Sequence, residues 1–358
     1  MQMNARSVNL ALYSLPMNAG RYSRQILFSG IGNEGQDALS KSRVTIIGCG
    51  ALGSLQAEML VRAGIGSLRI IDRDFVEESN LPRQLLFTEA DAKENQPKAI
   101  AAARRLKLIN SEIHLDALVT DVNYANIEDL IADAQVIVDG TDNFETRYLI
   151  NDAAVKSGTP WVYGAAVGSY GVQMTIRPGI TPCLRCIWSD PPSPGTFPTC
   201  DTGGVILTAI GMVASAQVTE ALKLLIGRFD DLHNSLLEFD VWTSRFGRLN
   251  VKEARLADCS CCWKKDFAFL ASHGGQLATT LCGRNAVQVL PGGRDSRVDL
   301  NELAENLKAV GEVTVNQYLL RLHARPYEIT VFADGRGIIQ GTEDTALARS
   351  LYSRYVGI

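Results

Sequence analysis

Short apolar runs alternate with amphipathic stretches through the first two thirds of the chain. The segments RVTIIG, SLRIIDRD and AQVIVDGTDN are predicted strands. Between them, GSLQAEMLVRAG has the pattern of a helix closed by Gly64, and PKAIAAARRLKLIN that of a helix beginning at Pro97. This alternation predicts an α/β fold built on a doubly wound, Rossmann-like, mostly parallel sheet, with ligands expected beyond the carboxyl ends of its strands.

Glycine-punctuated alternation follows in WVYGAAVGSYGVQMTIRPG, which predicts antiparallel strands that extend the sheet. The stretch from Thr202 to Thr219 carries no charge and approaches the length of a membrane span. Polar residues interrupt it and Glu220 follows at once, so we interpret it as a buried core helix. The proline-rich segment SDPPSPGTFPTCDTGG is predicted to be a loop long enough to be functional.

A second pattern begins after residue 264. A strand near NAVQVL, a helix in DLNELAENLKAV, strands around QYLLRLHAR, YEITVFADG and RGIIQG, and a final helix in TALARSLYSRYV predict a small α+β unit. The predicted organisation is therefore a flexible N-terminal segment at 1–20, an α/β domain at 21–264 and an α+β domain at 265–358.

Composition narrows the functional classes. The 358 residues are 46% hydrophobic and 21% charged, which is ordinary for a globular protein. The net charge of -4 comes from acids and bases mixed along the chain, so no basic stripe is available for nucleic acid or a membrane surface. The N-terminal stretch lacks the pattern of a signal peptide, and we expect a cytoplasmic protein.

Four of the eight cysteines form two Cys-x-x-Cys pairs, Cys183 with Cys186 and Cys259 with Cys262. Two such pairs supply the four thiolates of a tetrahedral zinc site, which here would join distant parts of the chain as a structural clamp. The alternative is a set of unrelated buried thiols. Cys261 lies between two of the ligands and is a candidate to replace one of them.

The segment VTIIGCGALGS places a glycine-rich turn between a strand and a helix, with Gly48, Gly50, Ala51 and Gly53 against the expected phosphate. Asp72 ends the next strand 19 residues after Gly53, where a carboxylate can accept hydrogen bonds from ribose hydroxyls. On these two features alone, NAD fits.

Polar and cationic side chains follow that strand and change the interpretation: Ser79, Asn80, Arg83, Gln84 and Lys98. The positive charge exceeds what a dinucleotide's pyrophosphate requires and favours a triphosphate. Each cation by itself is also consistent with a solvated surface charge. Their shared position in loops after successive strands argues against coincidence.

Asp142, beside Asn143, follows a third strand and can hold the magnesium ion that a triphosphate carries. The alternative is that Asp142 only caps the following helix.

These motifs occur in an order that resembles the ThiF/MoeB family, the adenylyltransferases of sulfur-carrier proteins, which are related to ubiquitin-activating enzymes. The matching segments are RYSRQI, GCGALGS, DRDFVEESNLPRQ, QPKA, GTDNFETR, the two cysteine pairs, and CDTGGV followed by VTEALKLL. The resemblance spans about Arg21 to Cys262. The tail is similar to that of some longer bacterial ThiF-type proteins and does not look like a rhodanese domain.

The resemblance implies ATP, Mg²⁺ and Zn²⁺ as cofactors and a role for each site residue. Asp72 would hold the ribose, Asp142 would bind magnesium with Asn143 beside the nucleotide, and Asn80, Arg83, Gln84 and Lys98 would position the triphosphate. Arg24 would reach the phosphates from the other subunit of a homodimer. Cys200 lies where some relatives carry a cysteine that links covalently to the carrier, and the sequence leaves such a link open.

The substrate implied is a ubiquitin-like sulfur carrier, ThiS- or MoaD-like, that ends in Gly-Gly. Its carboxylate would attack the α-phosphate, form an acyl-adenylate and release pyrophosphate for thiamine or molybdopterin synthesis. Relatives that act on peptide carboxylates in natural-product synthesis are the alternative, although the first twenty residues look too short for a peptide-recognition segment. A scaffold with a dead nucleotide site and an NAD-dependent oxidoreductase rank lower. The C-terminal unit is expected to recruit a sulfur donor such as a cysteine desulfurase, to extend the dimer contact, or only to stabilise.

Overall fold

The first two thirds of the chain form an eight-stranded sheet with helices packed on it. The computed structural model describes residues 20–191, 204–271, 278–281, 285–290, 298–308 and 310–356. The strands of this sheet are, in chain order, β1 (Arg43–Ile47), β2 (Ser67–Ile71), β3 (His114–Leu118), β4 (Val136–Asp139), β5 (Trp161–Val167), β6 (Tyr170–Ile176), β7 (Ser235–Asp240) and β8 (Arg245–Asn250).

The strand order is β3-β2-β1-β4-β5-β6-β7-β8. The first five strands in this order are parallel and the remaining pairs are antiparallel, which confirms the mostly parallel sheet with an antiparallel extension. One detail differs from the sequence interpretation, which placed all of the WVYGAAV segment in the extension. β5 pairs in parallel with β4 on one side and antiparallel with β6 on the other. It is therefore the boundary between the two parts of the sheet.

Helices cover both faces of this sheet: α1 (Ser23–Leu27), α2 (Gly32–Ser40), α3 (Ala51–Ala63), α4 (Glu89–Lys93), α5 (Lys98–Ile109), α6 (Ile127–Ile131), α7 (Phe144–Ser157), α8 (Leu184–Ile187) and α9 (Leu207–Leu225). Successive residues of one strand enter different cores. Ile46 packs with α3, α5 and α9, whereas Ile47 packs with α6 and α7. A strand buried on both faces needs a continuous apolar run, which is the pattern that the sequence shows.

The charge-free stretch before Glu220 forms α9, which confirms a core helix for residues 207 onward. Val213, Ala214 and Ala221 on this helix are fully buried. Gln217 is also fully buried, and its Nε2 donates to the carbonyl oxygens of Asp139 and Val162, so the polar interruption is satisfied. In the described part of the chain, none of the helices combines the length and apolar character that a bilayer crossing needs.

A second sheet lies near the C terminus. Its strands are β9 (Ala278–Leu281), β10 (Ala286–Val289), β11 (Glu312–Val315), β12 (Leu319–Ala324), β13 (Tyr327–Phe332) and β14 (Gly337–Gln340), and two helices pack on it, α10 (Leu300–Leu307) and α11 (Thr345–Tyr355). The order β11-β12-β13-β14-β10-β9 is antiparallel throughout. The predicted α+β pattern is confirmed, with β9 and β11 as additional strands. We call these six strands the C-terminal sheet.

Candidate functional site

The glycine turn brings the ends of β1 and β4 and the start of α3 into backbone contact. A Cβ on Gly53 would lie 1.9 Å from the carbonyl oxygen of Gly48, and one on Gly140 would lie 2.2 Å from the same oxygen. Gly48 itself has a φ of 88°, which favours glycine. α3 begins at Ala51, and its N-cap residue Gly50 contributes no side-chain cap. The first amides of α3 therefore face an approaching anion without a competing side chain.

Asp72 lies against this turn. Its Oδ2 accepts a hydrogen bond of 2.6 Å from the amide of Cys49, and its Oδ1 accepts one of 2.7 Å from the amide of Asp74. Burial raises the pKa of Asp72 above its usual range, and the nearby Lys98 ammonium opposes that shift. The carboxylate is thus fixed at the carboxyl end of β2, beside the glycines, as the sequence predicts for a ribose contact.

Lys98 is a buried cation at the start of α5. It is 3% exposed, and its Nζ lies 3.1 Å from Oδ2 of Asp74. The interpretation of Lys98 as a solvated surface charge is therefore wrong. Asp74 comes two residues after Asp72 in the sequence. Its ion pair therefore links the ammonium of Lys98, at the start of α5, to the segment that carries the Asp72 carboxylate.

The segment after Asp72 forms a short 3-10 helix, Glu78–Asn80, and a turn. Asn80 is 3% exposed and its Oδ1 accepts from the amide of Glu77. Gln84 is 4% exposed, and its Nε2 lies 3.8 Å from the position of a Cβ on Gly50, so this side chain reaches the glycine turn. Arg83 is half-buried, and its Nη1 donates to the carbonyl oxygen of Ser79.

Asp142 and Asn143 follow β4 and divide two roles between them. The Oδ1 of Asn143 accepts a hydrogen bond of 2.9 Å from the amide of Thr146 and caps α7. The helix-cap role therefore belongs to Asn143. Asp142 is exposed, and the contact from Nδ2 of Asn143 to its Oδ1 is 3.4 Å long. A carboxylate in this position has oxygens available for a hard cation.

A buried ion pair supports the loop that carries Asp142. Nε of Arg147 lies 3.3 Å from Oδ2 of Asp139, and its Nη2 donates to the carbonyl oxygen of Thr141 at 2.7 Å. Burial raises the pKa of Asp139, and the Arg147 guanidinium opposes that shift. The sequence interpretation did not single out this pair. The available signal was a charged residue at the end of an otherwise apolar strand, followed by an arginine on the next helix.

The two Cys-x-x-Cys pairs meet in a buried cluster. The sulfur atom of Cys183 lies 3.8 Å from that of Cys186 and 3.7 Å from that of Cys259. The sulfur atoms of Cys186 and Cys262 are 3.4 Å apart. All four lie within 4.8 Å of one another. A tetrahedron of sulfurs about 2.3 Å from a zinc ion has edges of about 3.8 Å. The interpretation as unrelated thiols is therefore wrong, and the donor set fits zinc.

Cys261 lies beside the cluster but outside this group of four. It is fully buried, and Nδ2 of Asn151 donates to its sulfur at 3.3 Å. The Oδ1 of the same asparagine accepts from the amide of Leu184 at 2.8 Å, within the first cysteine pair. α7 thus holds both cysteine segments through one side chain.

The ThiF family model matches residues 22–261. The chain belongs to the ThiF family. It is 48% identical over 342 residues to the sulfur carrier protein ThiS adenylyltransferase of Bacillus subtilis, covering 94% of this chain and 99% of that one. It is 37% identical to the sulfur carrier protein adenylyltransferase of Thermus thermophilus, covering 68% of this chain and 90% of that one. A crystal structure of Escherichia coli MccB with ATP is similar with a TM-score of 0.60 and 25% identity, covering 68% of this chain and 75% of that one.

The structure places Arg24, one of the predicted site residues of this ThiF-family chain, away from the glycine turn of its own chain. Arg24 is exposed on α1, whose Gln25 donates to the carbonyl oxygen of Ala63 at the last turn of α3. The glycine turn is at the other end of that helix, about 20 Å away for 13 residues. The structure therefore does not bring Arg24 to the turn of its own chain. Cys200 lies outside the described residues.

Proposed function

We propose that this protein adenylylates the C-terminal glycine carboxylate of a ubiquitin-like sulfur-carrier protein, forms an acyl-adenylate and releases pyrophosphate. The observation that carries the proposal is a glycine-lined helix start with a fixed carboxylate, Asp72, and a buried ammonium, Lys98, beside it. A 48% identity to a ThiS adenylyltransferase over nearly the whole chain supports a ThiS-like carrier, and hence thiamine synthesis, ahead of a MoaD-like one.

Each residue has a physical task in this proposal. Asp72 accepts hydrogen bonds from the ribose hydroxyls. The amides at the start of α3 and the ammonium of Lys98 neutralise the negative charge of the phosphates. This charge increases on the leaving group as pyrophosphate departs. Asn80 and Gln84, both buried, fix the phosphates by hydrogen bonds, and the half-buried Arg83 adds positive charge. The carrier's own carboxylate is the nucleophile, so the protein needs none.

Asp142 is the proposed magnesium ligand, with Asn143 holding the loop beside the nucleotide. The fit rests on an exposed carboxylate directly after β4, at the same sheet edge as Asp72. When bound, magnesium would supply positive charge to the triphosphate. Arg147 and Asp139 keep the loop in place from inside the protein.

The four-cysteine cluster is proposed to hold a structural zinc ion. Cys183 precedes α8 and Cys186 lies within it, whereas Cys259 and Cys262 follow β8, 76 residues further along the chain. Hydrogen bonding from Cys183 and burial raise the pKa of Cys186 to about 12, so thiolates form here only with a cation beside them. The ion would therefore contribute to folding and take no part in adenylylation.

A homodimer is proposed to complete the site with Arg24 of the second subunit. Two observations support it. Arg24 lies at the far end of α3 from the turn of its own chain, and Leu27 and Phe28 next to it are 57% and 64% exposed. Large apolar side chains beside a surface cation are typical of an interface with a polar rim.

Exchange of labelled pyrophosphate into ATP tests the function directly. The purified protein is assayed with a ThiS-like carrier, a MoaD-like carrier, each carrier lacking its final glycine, and a peptide with a free carboxylate. We expect exchange only with an intact carrier. Exchange with the peptide alone would replace the proposal by the alternative, an adenylating enzyme that acts on a peptide carboxylate.

The residue assignment is tested in the same assay with Lys98→Met. Lys107→Met is the matched control, because Lys107 is exposed near the other end of α5. We expect exchange to fall by about a hundredfold or more for the first variant, as for other groups that stabilise charge in the transition state, and to change little for the second. Equal activity of the two variants would contradict the role of Lys98.

A further inference from the structure

The C-terminal sheet has two covered faces, and only one is covered by its own helices. Val287, Leu320, Leu322 and Val331 pack with α10 and α11. The side chains that point the other way pack on the first part of the chain: Ala286, Gln288, Leu319, Arg321, Phe332 and Ile338. We call these six residues the docking face.

Phe75 is the apolar centre of this contact. It is 7% exposed and packs in one cluster with Leu319, Phe332 and Ile338 of the docking face. The guanidinium carbon of Arg321 lies 4.9 Å from the centre of its ring. Phe75 comes three residues after Asp72, so the C-terminal sheet buries the loop that leaves the ribose site.

Two polar contacts fix the same loop. Nη2 of Arg336 donates to the carbonyl oxygen of Arg73 at 2.9 Å. Nε2 of Gln288 donates to Oδ2 of Asp121 at 3.0 Å, and Oδ1 of Asp121 accepts from Nη1 of Arg73 at 2.7 Å. The C-terminal sheet therefore holds both the backbone and, through Asp121, the side chain of Arg73.

Arg73 lies between Asp72, the proposed ribose ligand, and Asp74, the partner of Lys98. On one side Asp72 accepts from the amide of Cys49 in the glycine turn, and on the other Asp74 pairs with Lys98. A displacement of Arg73 must move at least one of these carboxylates, because the three residues are consecutive. The contacts thus form a continuous path from the C-terminal sheet to the ribose and phosphate positions.

Arg336 is buried at this contact, with its guanidinium carbon 3.8 Å from the ring centre of Phe332 and its Nε 3.7 Å from Oδ2 of Asp334. It is 1% exposed, and its Nε and Nη1 find no hydrogen-bond partner within the described ranges. A buried guanidinium that is satisfied in part costs folding free energy compared with an apolar side chain of similar volume. Of its contacts, the hydrogen bond to Arg73 is the one that reaches the segment carrying Asp72.

We propose that the C-terminal sheet positions the nucleotide-binding loop and that Arg336 and Gln288 are positioning residues for ATP. Neither residue touches the nucleotide; each acts through Arg73. The inference rests on the proposed function only as far as the ATP site, and it makes no use of the carrier.

The test measures the Kd of a non-hydrolysable ATP analogue by calorimetry on the full chain. The variants are Arg336→Met and Gln288→Leu, which remove the two polar contacts and keep side-chain volume. Ile329→Val is the matched control, since Ile329 is fully buried in the same sheet but on the face toward α10 and α11. We expect the Kd to rise about tenfold for each positioning variant, equivalent to ~1.4 kcal/mol, and less than twofold for the control.

Melting temperature and pyrophosphate exchange separate the competing explanations. If Ile329→Val weakens the analogue as much as the two variants at an equal loss of melting temperature, the role is structural and the proposal is overturned. An unchanged Kd in both positioning variants also overturns the proposal. If Arg336→Met does not fold, the Kd of Gln288→Leu alone decides the question. Unmodified protein that binds the analogue but shows no exchange with any carrier contradicts the proposed function, while the Kd ratios still decide this inference. Unmodified protein that does not bind the analogue overturns both.

Discussion

Replacing Gly53 by alanine tests whether the glycine turn is as tight as the structure describes. The new Cβ would lie 1.9 Å from the carbonyl oxygen of Gly48 and 2.8 Å from its carbonyl carbon. An ordinary carbon–oxygen contact is about 3.3 Å, so α3 and the end of β1 must separate by about 1.4 Å. Both neighbours are backbone, and neither can rotate away.

The magnitude follows from that displacement. Overpacking against backbone in a filled core lies at the upper end of the usual range, ~3 kcal/mol of unfolding free energy, which corresponds to a fall in melting temperature of roughly 4 °C for a chain of 358 residues. A shift of more than 1 Å in a phosphate-binding helix start costs about a hundredfold in rate or more. Differential scanning calorimetry and pyrophosphate exchange measure the two effects separately.

Gly50→Ala is the matched control for the fold. Among the residues that the structure describes, its Cβ would meet only Nε2 of Gln84, at 3.8 Å, which is ordinary contact. We expect the melting temperature of this variant to stay within about 1 °C of the unmodified protein while ATP affinity falls, because the methyl group occupies the phosphate side of the turn. The reasoning is refuted if Gly53→Ala melts like the unmodified protein and keeps full exchange activity.

Three further predictions concern the metal sites and pH. Asp142→Ala should abolish exchange without lowering the melting temperature, because the carboxylate is exposed; retained exchange would contradict its role as a magnesium ligand. Removal of zinc by a chelator, verified by elemental analysis, should lower the melting temperature, and an unchanged value would contradict a structural ion. Burial lowers the pKa of His233, with Glu220 opposing, so the folded protein favours the neutral ring whose Nε2 bonds Oε1 of Gln173. Its stabilising contribution is present above the unfolded pKa of about 6.5 and is lost as the pH falls through the lower folded pKa. Urea unfolding from pH 7.5 to 5.5 should therefore show a steeper loss of stability in the unmodified protein than in His233→Gln, and equal slopes would contradict the shift.

The sequence predicted the sheet because its strands are buried on both faces. A doubly buried strand such as β1 must be apolar at every position, and that run is visible without knowledge of its partners. The ThiF family and the cysteine cluster were predicted for a similar reason, since each depends on short local spacings. β3, β7 and β8 were not predicted. β3 and β8 lie at the two edges of the sheet and are only half-buried or exposed, and β7 mixes buried with half-buried positions, so none of the three shows a continuous apolar run.

The parts of the site that the sequence did not predict are those that depend on tertiary contacts. The pairing of Lys98 with Asp74, and the burial that excludes a solvated role, require α5 to pack against the end of β2. The same holds for the ion pair of Arg147 and Asp139, whose members lie on different elements. The contact between Arg336 and Arg73 joins residues 263 positions apart in the sequence, and no local sequence pattern predicts it.

The burial of Phe75 has a consequence for shortening this protein. Cutting the chain after residue 264 would expose Phe75 and Val119 to solvent, because it removes their apolar neighbours Leu281, Leu319 and Phe332. Such a fragment would expose an apolar patch close to the proposed ATP site and would be prone to self-association. By the same logic, a natural homologue that ends early should have a hydrophilic side chain where this chain has Phe75.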